Sequence, residues 1–173
     1  MKPIYPNRIL PECWGNFLLI KTLGFGKSVH ASGSGEFARY LNGEKKHEIY
    51  RKQRFIAIPD WDKKESQRRF FTRCFELSEP TKFQLVTGRH KEFDFHAVIL
   101  VPAFEEFIWK SCDLSELDPG RFGFPDLKSF KTACKTIRVL DNDKVKNLLN
   151  TLKQKQSPPL LTLQSWITGI FQQ

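Results

Sequence analysis

Two aspartates one residue apart, Asp60 and Asp62, are the residues whose types and spacing point most directly to chemistry. They follow the apolar run Phe55–Ile58, which is too short for a helix and typical of a strand buried on both faces. Pro59 ends that run, so both carboxylates lie beyond the carboxyl end of a strand, where open α/β sheets place their sites. Carboxylates this close repel unless a cation or proton joins them, and oxygen ligands suit Mg²⁺ or Mn²⁺. The pattern predicts a divalent metal site, with helix capping by Asp62 as the alternative.

A second pair of acids, Glu105 and Glu106, follows the strongest strand signal in the chain. The continuous apolar run Ala97–Val101 predicts that strand, and Pro102 ends it. Because these acids also lie beyond the carboxyl end of a strand, they are candidate accessory metal ligands. The alternative is that they favour the positive end of the dipole of the helix they begin.

Two further motifs look like sites, and we interpret both as structural. Gly24–Ser28 ends in Gly-Lys-Ser, as phosphate-binding loops do, but Lys21 stands where such a loop needs its first glycine. Asp141 and Asp143 repeat the spacing of the first pair. Apolar residues follow them at helical spacing, so we predict that Asp143 is a helix N-cap.

The composition favours a single folded domain with a polyanionic partner. The chain has 173 residues, 40% of them apolar, with 16 Phe and 4 Trp, which excludes a disordered chain. The net charge of +9 points to nucleic acid ahead of a membrane, and we expect DNA rather than RNA.

The cysteines and the N-terminal segment indicate the compartment. Cys13, Cys74, Cys112 and Cys134 are scattered and lack the spacing of a zinc site, so we expect reduced, mostly buried thiols. Neither an apolar run of signal-peptide length nor a stretch near the roughly 20 apolar residues of a membrane span is present. These features predict a cytoplasmic protein.

The elements around Asp60 alternate between strands and helices. Ile9 and Leu10 predict a clipped first strand, and Trp14–Leu23 predicts a buried helix, with a strand over Phe17–Ile20 as the alternative. Val29–Ala31 predicts a short strand, and a helix should follow its glycine-rich connection. This alternation predicts an α/β fold with a mainly parallel central sheet flanked by helices.

The segment after Asp62 predicts an amphipathic helix with a basic side. Its cations begin beside the two aspartates, where the backbone of a nucleic acid would have to lie. We therefore expect this side to bind nucleic acid, with an ordinary solvated face as the alternative. The candidate contacts are Lys63, Lys64, Arg68 and Arg69.

The later part of the chain is predicted to be mainly helical. Ser115–Phe130 is rich in turn residues, which predicts an excursion over the surface. Ser157 should cap a last helix that Pro158 and Pro159 open, and its apolar stripe predicts a core or dimer face.

The order of elements resembles the TOPRIM domain of topoisomerases, bacterial primases and nucleases of the OLD family. In that family a glutamate ends the first strand and a DxD ends the third, and ILPECWGNFLLIKTLGF followed by FIAIPDWD is similar to that pair. SVHASGSGEFARYL is similar to the second strand and its glycine turn. The resemblance implies a single domain over residues 1–173, with a TOPRIM-like core at about 9–109 and a C-terminal helical extension at about 110–173.

The resemblance also implies roles for three acids. Glu12 would act as general acid/base or as a further metal ligand, while Asp60 and Asp62 would hold Mg²⁺ or Mn²⁺. Such ions activate a water and relieve charge on the leaving oxygen of a phosphodiester. The implied protein is a metal-dependent nuclease or nicking subunit, in a setting such as phage defence or a mobile element. A partner ATPase or a homodimer would be its protein partner.

Two other functions remain open from the residues. A PD-(D/E)xK nuclease would use Pro59-Asp60, but the next predicted strand has no clear acid-x-lysine. A degenerate TOPRIM-like module would bind nucleic acid or a protein without cutting. Metal-dependent cleavage separates the nucleases from this module.

Overall fold

The protein is α/β, with a mixed sheet flanked by helices. The computed structural model describes residues 8–26, 28–31, 34–41, 54–61 and 65–172. Within these ranges the strands are β1 (Arg8–Pro11), β2 (Phe55–Ile58), β3 (Phe75–Leu77), β4 (Leu85–His90) and β5 (Phe95–Leu100). The helices are α1 (Trp14–Thr22), α2 (Ser34–Leu41), α3 (Glu65–Cys74), α4 (Phe104–Leu114), α5 (Leu127–Cys134), α6 (Asp143–Gln154) and α7 (Pro158–Gln172). Short 3₁₀ turns cover Pro119–Phe122 and Ile137–Asp141.

The strand order of the sheet is β1-β2-β5-β4-β3. The strands β1, β2 and β5 run parallel, and the ladders β5–β4 and β4–β3 are antiparallel. Beyond β1, residues 28–31 form an extended edge segment, in which Val29 N–H donates to Ile9 O at 2.9 Å and Ala31 N–H donates to Pro11 O at 2.8 Å. The parallel half of the sheet therefore includes the regions of both predicted acids, Glu12 and Asp60.

The prediction of a mainly parallel sheet is only partly right, because half of the ladders are antiparallel. Residues 91–94 alone connect β4 to β5. A parallel crossover needs a dozen or more residues, so a connection this short can form only a hairpin. The strands predicted at Ile9–Leu10, Phe55–Ile58 and Ala97–Val101 are present, whereas the strand predicted at Val29–Ala31 is only an extended segment with an isolated bridge. The strands β2 and β5 are buried along their whole length.

Helices cover both faces of the sheet. The larger apolar core joins one face to α1, α4, α5, α6 and α7, and includes Ile56, Val98 and Phe107. The smaller core joins the other face to α2 and α3, and includes Ala57 and Phe71. Because both faces are covered, side chains reach solvent from the central strands mainly at their ends, and this leaves the strand ends as the place for chemistry.

Three details after residue 110 are informative. The segment predicted as a surface excursion is largely exposed but contributes Phe124 and Phe130 to the larger core, so that prediction is only partly right. The N-cap of α6 is Asn142 rather than Asp143, because the Asn142 side chain accepts from Lys144 N–H and Val145 N–H. The stripe predicted on α7 is buried in the core.

None of the helices in the described ranges has the length and apolar content that a membrane span needs.

The helix prediction for residues 14–23 is confirmed by α1 and its boundaries. Cys13 is the N-cap, and Gly24 follows the last turn with φ +100°, a left-handed conformation that glycine adopts without strain. The four cysteines are free, as expected, with Cys112 and Cys134 buried and Cys13 and Cys74 partly exposed.

The cysteines should differ in reactivity. Burial raises the pKa of the Cys112 thiol to about 12, and burial together with the charge of Glu105 raises the pKa of Cys134. Because the thiolate is the reactive form, we expect iodoacetamide at about pH 8 to modify Cys74 first and to leave Cys112 and Cys134 unmodified in the folded protein. Mass spectrometry of the labelled chain checks this, and modification of all four thiols in denaturant is the control. Rapid labelling of Cys112 in the native state would contradict the buried position.

Two helical glycines should respond in opposite ways to alanine. A Cβ at Gly15 would lie 2.5 Å from the fully buried Phe104 ring, so Gly15→Ala should lower the free energy of unfolding by about 1–3 kcal/mol. A Cβ at Gly169 meets nothing within 4 Å, so Gly169→Ala should raise the free energy of unfolding by about 0.5–1 kcal/mol, because alanine favours the helix more than glycine does. Urea unfolding of both variants measures the difference, and equal shifts would contradict the close α1–α4 contact.

Candidate functional site

Glu12 and Asp60 lie together at the carboxyl end of the parallel strands. Pro11 of β1 pairs with Ile58 of β2, so the residues that follow the two strands leave the sheet side by side. Glu12 N–H donates to Ile58 O at 3.1 Å, and Asp60 N–H donates to the Glu12 carboxylate at Oε2 at 3.0 Å. Two of the three acids predicted to meet, separated by 48 positions, are therefore neighbours.

The Asp60 carboxylate is held by the N-terminal ends of two helices. Its Oδ1 accepts from the side-chain amide of Asn16 in α1 at 3.1 Å and from the backbone N–H of Phe104, the first residue of α4, at 3.0 Å. The N-cap residue of α4 is Ala103, whose side chain makes no capping hydrogen bond. Asp60 thus supplies from β2 the acceptor that α4 lacks, and both helix ends favour its negative charge.

Asn16 is the polar residue at the centre of this arrangement. It is fully buried, and its Nδ2 also donates to Ile58 O at 3.2 Å. Because both groups that Nδ2 contacts are acceptors, the nitrogen of the amide, and not its oxygen, must face them. Its Oδ1 is buried with no hydrogen-bond partner among the described residues. Asn16 therefore connects α1 to β2 and to Asp60 through two donated hydrogen bonds.

The negative charges of the site act on the pKa of the Cys13 thiol. Burial raises its pKa well above the usual range, and the charges of Asp60, Glu105 and Glu12 raise it further, against the lowering effect of the hydrogen bond from Asn16 N–H. Charges act on one thiol in this way only when they lie near it. Glu105 thus belongs to the same electrostatic neighbourhood as Glu12 and Asp60.

The two glutamates of α4 differ in their described partners. Glu106 pairs with Lys131 of α5, and its other carboxylate oxygen, Oε2, is buried with no hydrogen-bond partner among the described residues. Glu105 is close enough to Cys13 for its charge to act on the pKa of that thiol. The prediction that Glu105 or Glu106 is an accessory ligand stays a prediction.

A stacked aromatic pair lies beside Glu12. The His30 ring is parallel to the Trp14 ring, with centroids 3.8 Å apart and planes 2° apart. Burial lowers the pKa of His30, while Glu36 and a hydrogen bond to the Glu12 backbone carbonyl raise it. The sequence offered only a weak signal for this pair, namely an aromatic residue just after β1 and a histidine in the segment predicted to be a strand.

The predicted nucleic-acid contacts are only partly described. Arg68 and Arg69 are exposed on α3, and Arg69 pairs with Glu65 across one helical turn. An exposed pair of this kind contributes little, about 0.3–0.5 kcal/mol, so it does not prevent a phosphate contact. Asp62, Lys63 and Lys64 lie outside the described residues.

An open cleft of about 530 Å³ lies elsewhere, between the strands β3 and β4 and the helix α7. It is lined in part by Arg89, His96 and Trp166. His96 is near the amino end of β5, whereas Asp60 pairs with Leu100 at the other end of that strand. This cleft is therefore separate from the acids.

Carboxylate oxygens are the type of ligand that a hard divalent cation takes. No group of three or more His, Cys, Asp or Glu side chains within the described ranges is arranged to hold a metal ion. Mg²⁺, however, is usually bound through one or two carboxylates, with waters and substrate phosphates completing its shell. Glu12 and Asp60 would supply that number.

Comparison with protein families, with curated proteins and with solved structures finds no match for this chain. The chemistry of the residues around Glu12 and Asp60 is therefore the basis for a proposed function.

Asn16→Ala should destabilise the fold. The substitution removes two hydrogen bonds and leaves the Ile58 carbonyl with the Glu12 N–H as its remaining donor, so we expect a loss of about 1–3 kcal/mol in the free energy of unfolding. Asn147→Ala, at an exposed position of α6, is the matched control and should change it by less than about 0.5 kcal/mol. Chemical denaturation measures both, and equal small effects would contradict the bridging role of Asn16.

Proposed function

We propose that the protein cleaves phosphodiester bonds of nucleic acid with Mg²⁺ or Mn²⁺, at a TOPRIM-like site formed by Glu12 and Asp60. The observation that carries the proposal is the hydrogen bond from Asp60 N–H to the Glu12 carboxylate. It joins two acids remote in sequence at one edge of a parallel sheet, where sites of open α/β folds lie.

The order of elements also supports a TOPRIM-like core. Glu12 follows β1, then come α1, the extended segment 28–31 and α2, and Asp60 follows β2 before α3. This is the order on which the resemblance to TOPRIM domains is based. The antiparallel strands β3 and β4 and the helices α5, α6 and α7 would be additions around that core.

Each residue has a role in this chemistry. Asp60, together with Asp62, would hold the cation, and Glu12 would act as general acid/base or as a further ligand. The cation, when bound, activates a water and stabilises the leaving oxygen. Asn16 and the first turn of α4 orient the Asp60 carboxylate, and Glu105 is the nearby candidate for an accessory ligand.

The charge of the protein supports a nucleic acid as substrate. The net charge of the chain is +9. Because the acids of the site repel a phosphate backbone, positive charges must lie around them before the backbone can approach. Arg68 and Arg69 lie on α3, the helix that follows β2 and Asp60 in the chain. They would contact backbone phosphates without distinguishing one base sequence from another. DNA is the first substrate to test, and RNA the second.

A second candidate is a binding module that does not cut. It is favoured by one observation, the use of Asp60 Oδ1 as acceptor for both α1 and α4. A carboxylate in that position stabilises the fold even if no metal binds. The two candidates therefore differ in whether the negative charge of Asp60 is needed, or only its acceptor oxygen.

Amide substitutions make this distinction. Asp60→Asn and Glu12→Gln keep an oxygen that can accept the observed N–H groups, but they remove the charge that a metal requires. We expect both variants to fold and to lose about 100-fold or more of the Mg²⁺- or Mn²⁺-dependent cleavage of plasmid, single-stranded DNA or RNA. Asp62→Ala should show the same loss.

Asp143→Asn is the control, because Asp143 is an exposed acid at the start of α6. It should cleave as the unsubstituted protein does. Cleavage that persists in Asp60→Asn and Glu12→Gln would overturn the proposed enzyme. Salt-sensitive binding without any metal-dependent cleavage would establish the non-catalytic module instead.

A further inference from the structure

We propose that Trp14 and His30 form a stacking platform for an unpaired base, so that the site binds single-stranded nucleic acid. This inference rests on the proposed function, because it names the form of nucleic acid that the Glu12–Asp60 site would take. It assigns a role to two residues that the metal chemistry does not use.

The position of the pair is the first support. Trp14 is the first residue of α1, two positions after Glu12, and His30 lies in the edge segment beside β1. The imidazole hydrogen-bonds to the Glu12 carbonyl, and Glu36 is close enough to act on its charge. The platform therefore lies beside the backbone of Glu12, one of the two acids of the proposed site.

The geometry of the pair is the second support. The rings are parallel and 3.8 Å apart, which is the arrangement of stacked aromatic groups. Phe17 meets Trp14 edge-on, with ring centroids 5.8 Å apart and planes 76° apart. Both Trp14 and His30 are partly exposed, and among the described residues no second ring packs on His30. An additional planar group can continue this stack on the imidazole.

The hydrogen bond to Glu12 makes the imidazole suitable for this purpose. A hydrogen bond to an imidazole nitrogen acts at the edge of the ring, and stacking on Trp14 uses only one of its two faces. A face fixed in advance binds a base with a smaller loss of side-chain freedom. Proteins that bind single strands combine such aromatic faces with cationic side chains that contact the backbone.

A base-paired duplex does not fit this platform. Its bases are stacked on their neighbours, and a side chain can stack on a base face only when that base is unpaired or extruded. A duplex would contact the protein through its phosphates alone. The pair should therefore contribute to the binding of single strands and contribute little to the binding of duplexes.

The test measures binding without cleavage. Affinities are determined in EDTA by fluorescence anisotropy for a thymidine oligonucleotide of about 12 nucleotides, a length within the site sizes of single-strand binders. The same backbone without bases and a duplex of equal length are measured in parallel. His30→Ala should weaken binding of the thymidine strand about 5- to 100-fold, and should leave binding of the abasic strand and the duplex unchanged.

Two variants control for other effects. His30→Phe restores an aromatic face without the hydrogen bond to Glu12, so it should recover most of the lost affinity. His90→Ala removes a partly exposed histidine that also contacts aromatic rings, Phe75 and Phe93, at the end of β4. It should bind the thymidine strand like the unsubstituted protein.

The outcomes separate this inference from the proposed function. If the thymidine and abasic strands bind equally well to the unsubstituted protein, or if His30→Ala binds the thymidine strand normally, the platform is wrong. In that case cleavage that depends on Asp60 would leave the enzyme proposal standing. Base-dependent binding that His30→Ala removes, without cleavage, would support the platform on a non-catalytic module.

Discussion

The arrangement of the candidate site depends on one oxygen atom, Oδ1 of Asp60. It accepts hydrogen bonds from two helices that are distant in sequence, through the Asn16 amide and the backbone N–H of Phe104. The close approach of those helices also requires Gly15, since a Cβ there would collide with the Phe104 ring. The acid, the amide and the glycine therefore form one unit in which helix packing and carboxylate position are determined together.

This unit explains how several acids can be near one another in a folded protein. Like charges repel, and burial together with the charges of Asp60, Glu105 and Glu12 raises the pKa of the Cys13 thiol. The positive ends of α1 and α4 and their N–H groups offset part of that repulsion at Asp60. A bound cation, or the positively charged side chains that would contact a phosphate backbone, would offset more of this repulsion.

The sequence was sufficient for those features that depend on local pattern and on strand ends. Glu12 and Asp60 were expected to meet through the resemblance to the TOPRIM domain, and they lie together because the parallel strands β1 and β2 end at the same edge of the sheet. The antiparallel hairpin β4–β5 could also have been recognised, because its connection is too short for a crossover.

Other features depend on contacts between distant residues, and local pattern does not contain them. Glu105 and Glu106 look equivalent in the sequence, and only the position of Lys131 on α5 separates them. The stacking of His30 on Trp14 requires knowledge of where the edge segment 28–31 lies. The capping of α4 by Asp60, from another element, was hidden for the same reason.

The last helices of the described chain have a consequence for the order of assembly during synthesis. The Lys153 side chain donates to the Thr22 carbonyl at 2.7 Å, and the Gln164 side chain donates to the Leu23 carbonyl at 3.1 Å. The C-terminal end of α1 is thus held by residues that leave the ribosome more than a hundred positions later. A nascent chain can pair β1 with β2 early, but α1 is anchored at both ends only after α7 has emerged. The contacts that hold the C-terminal end of α1 therefore form only after nearly the whole described chain has been synthesised.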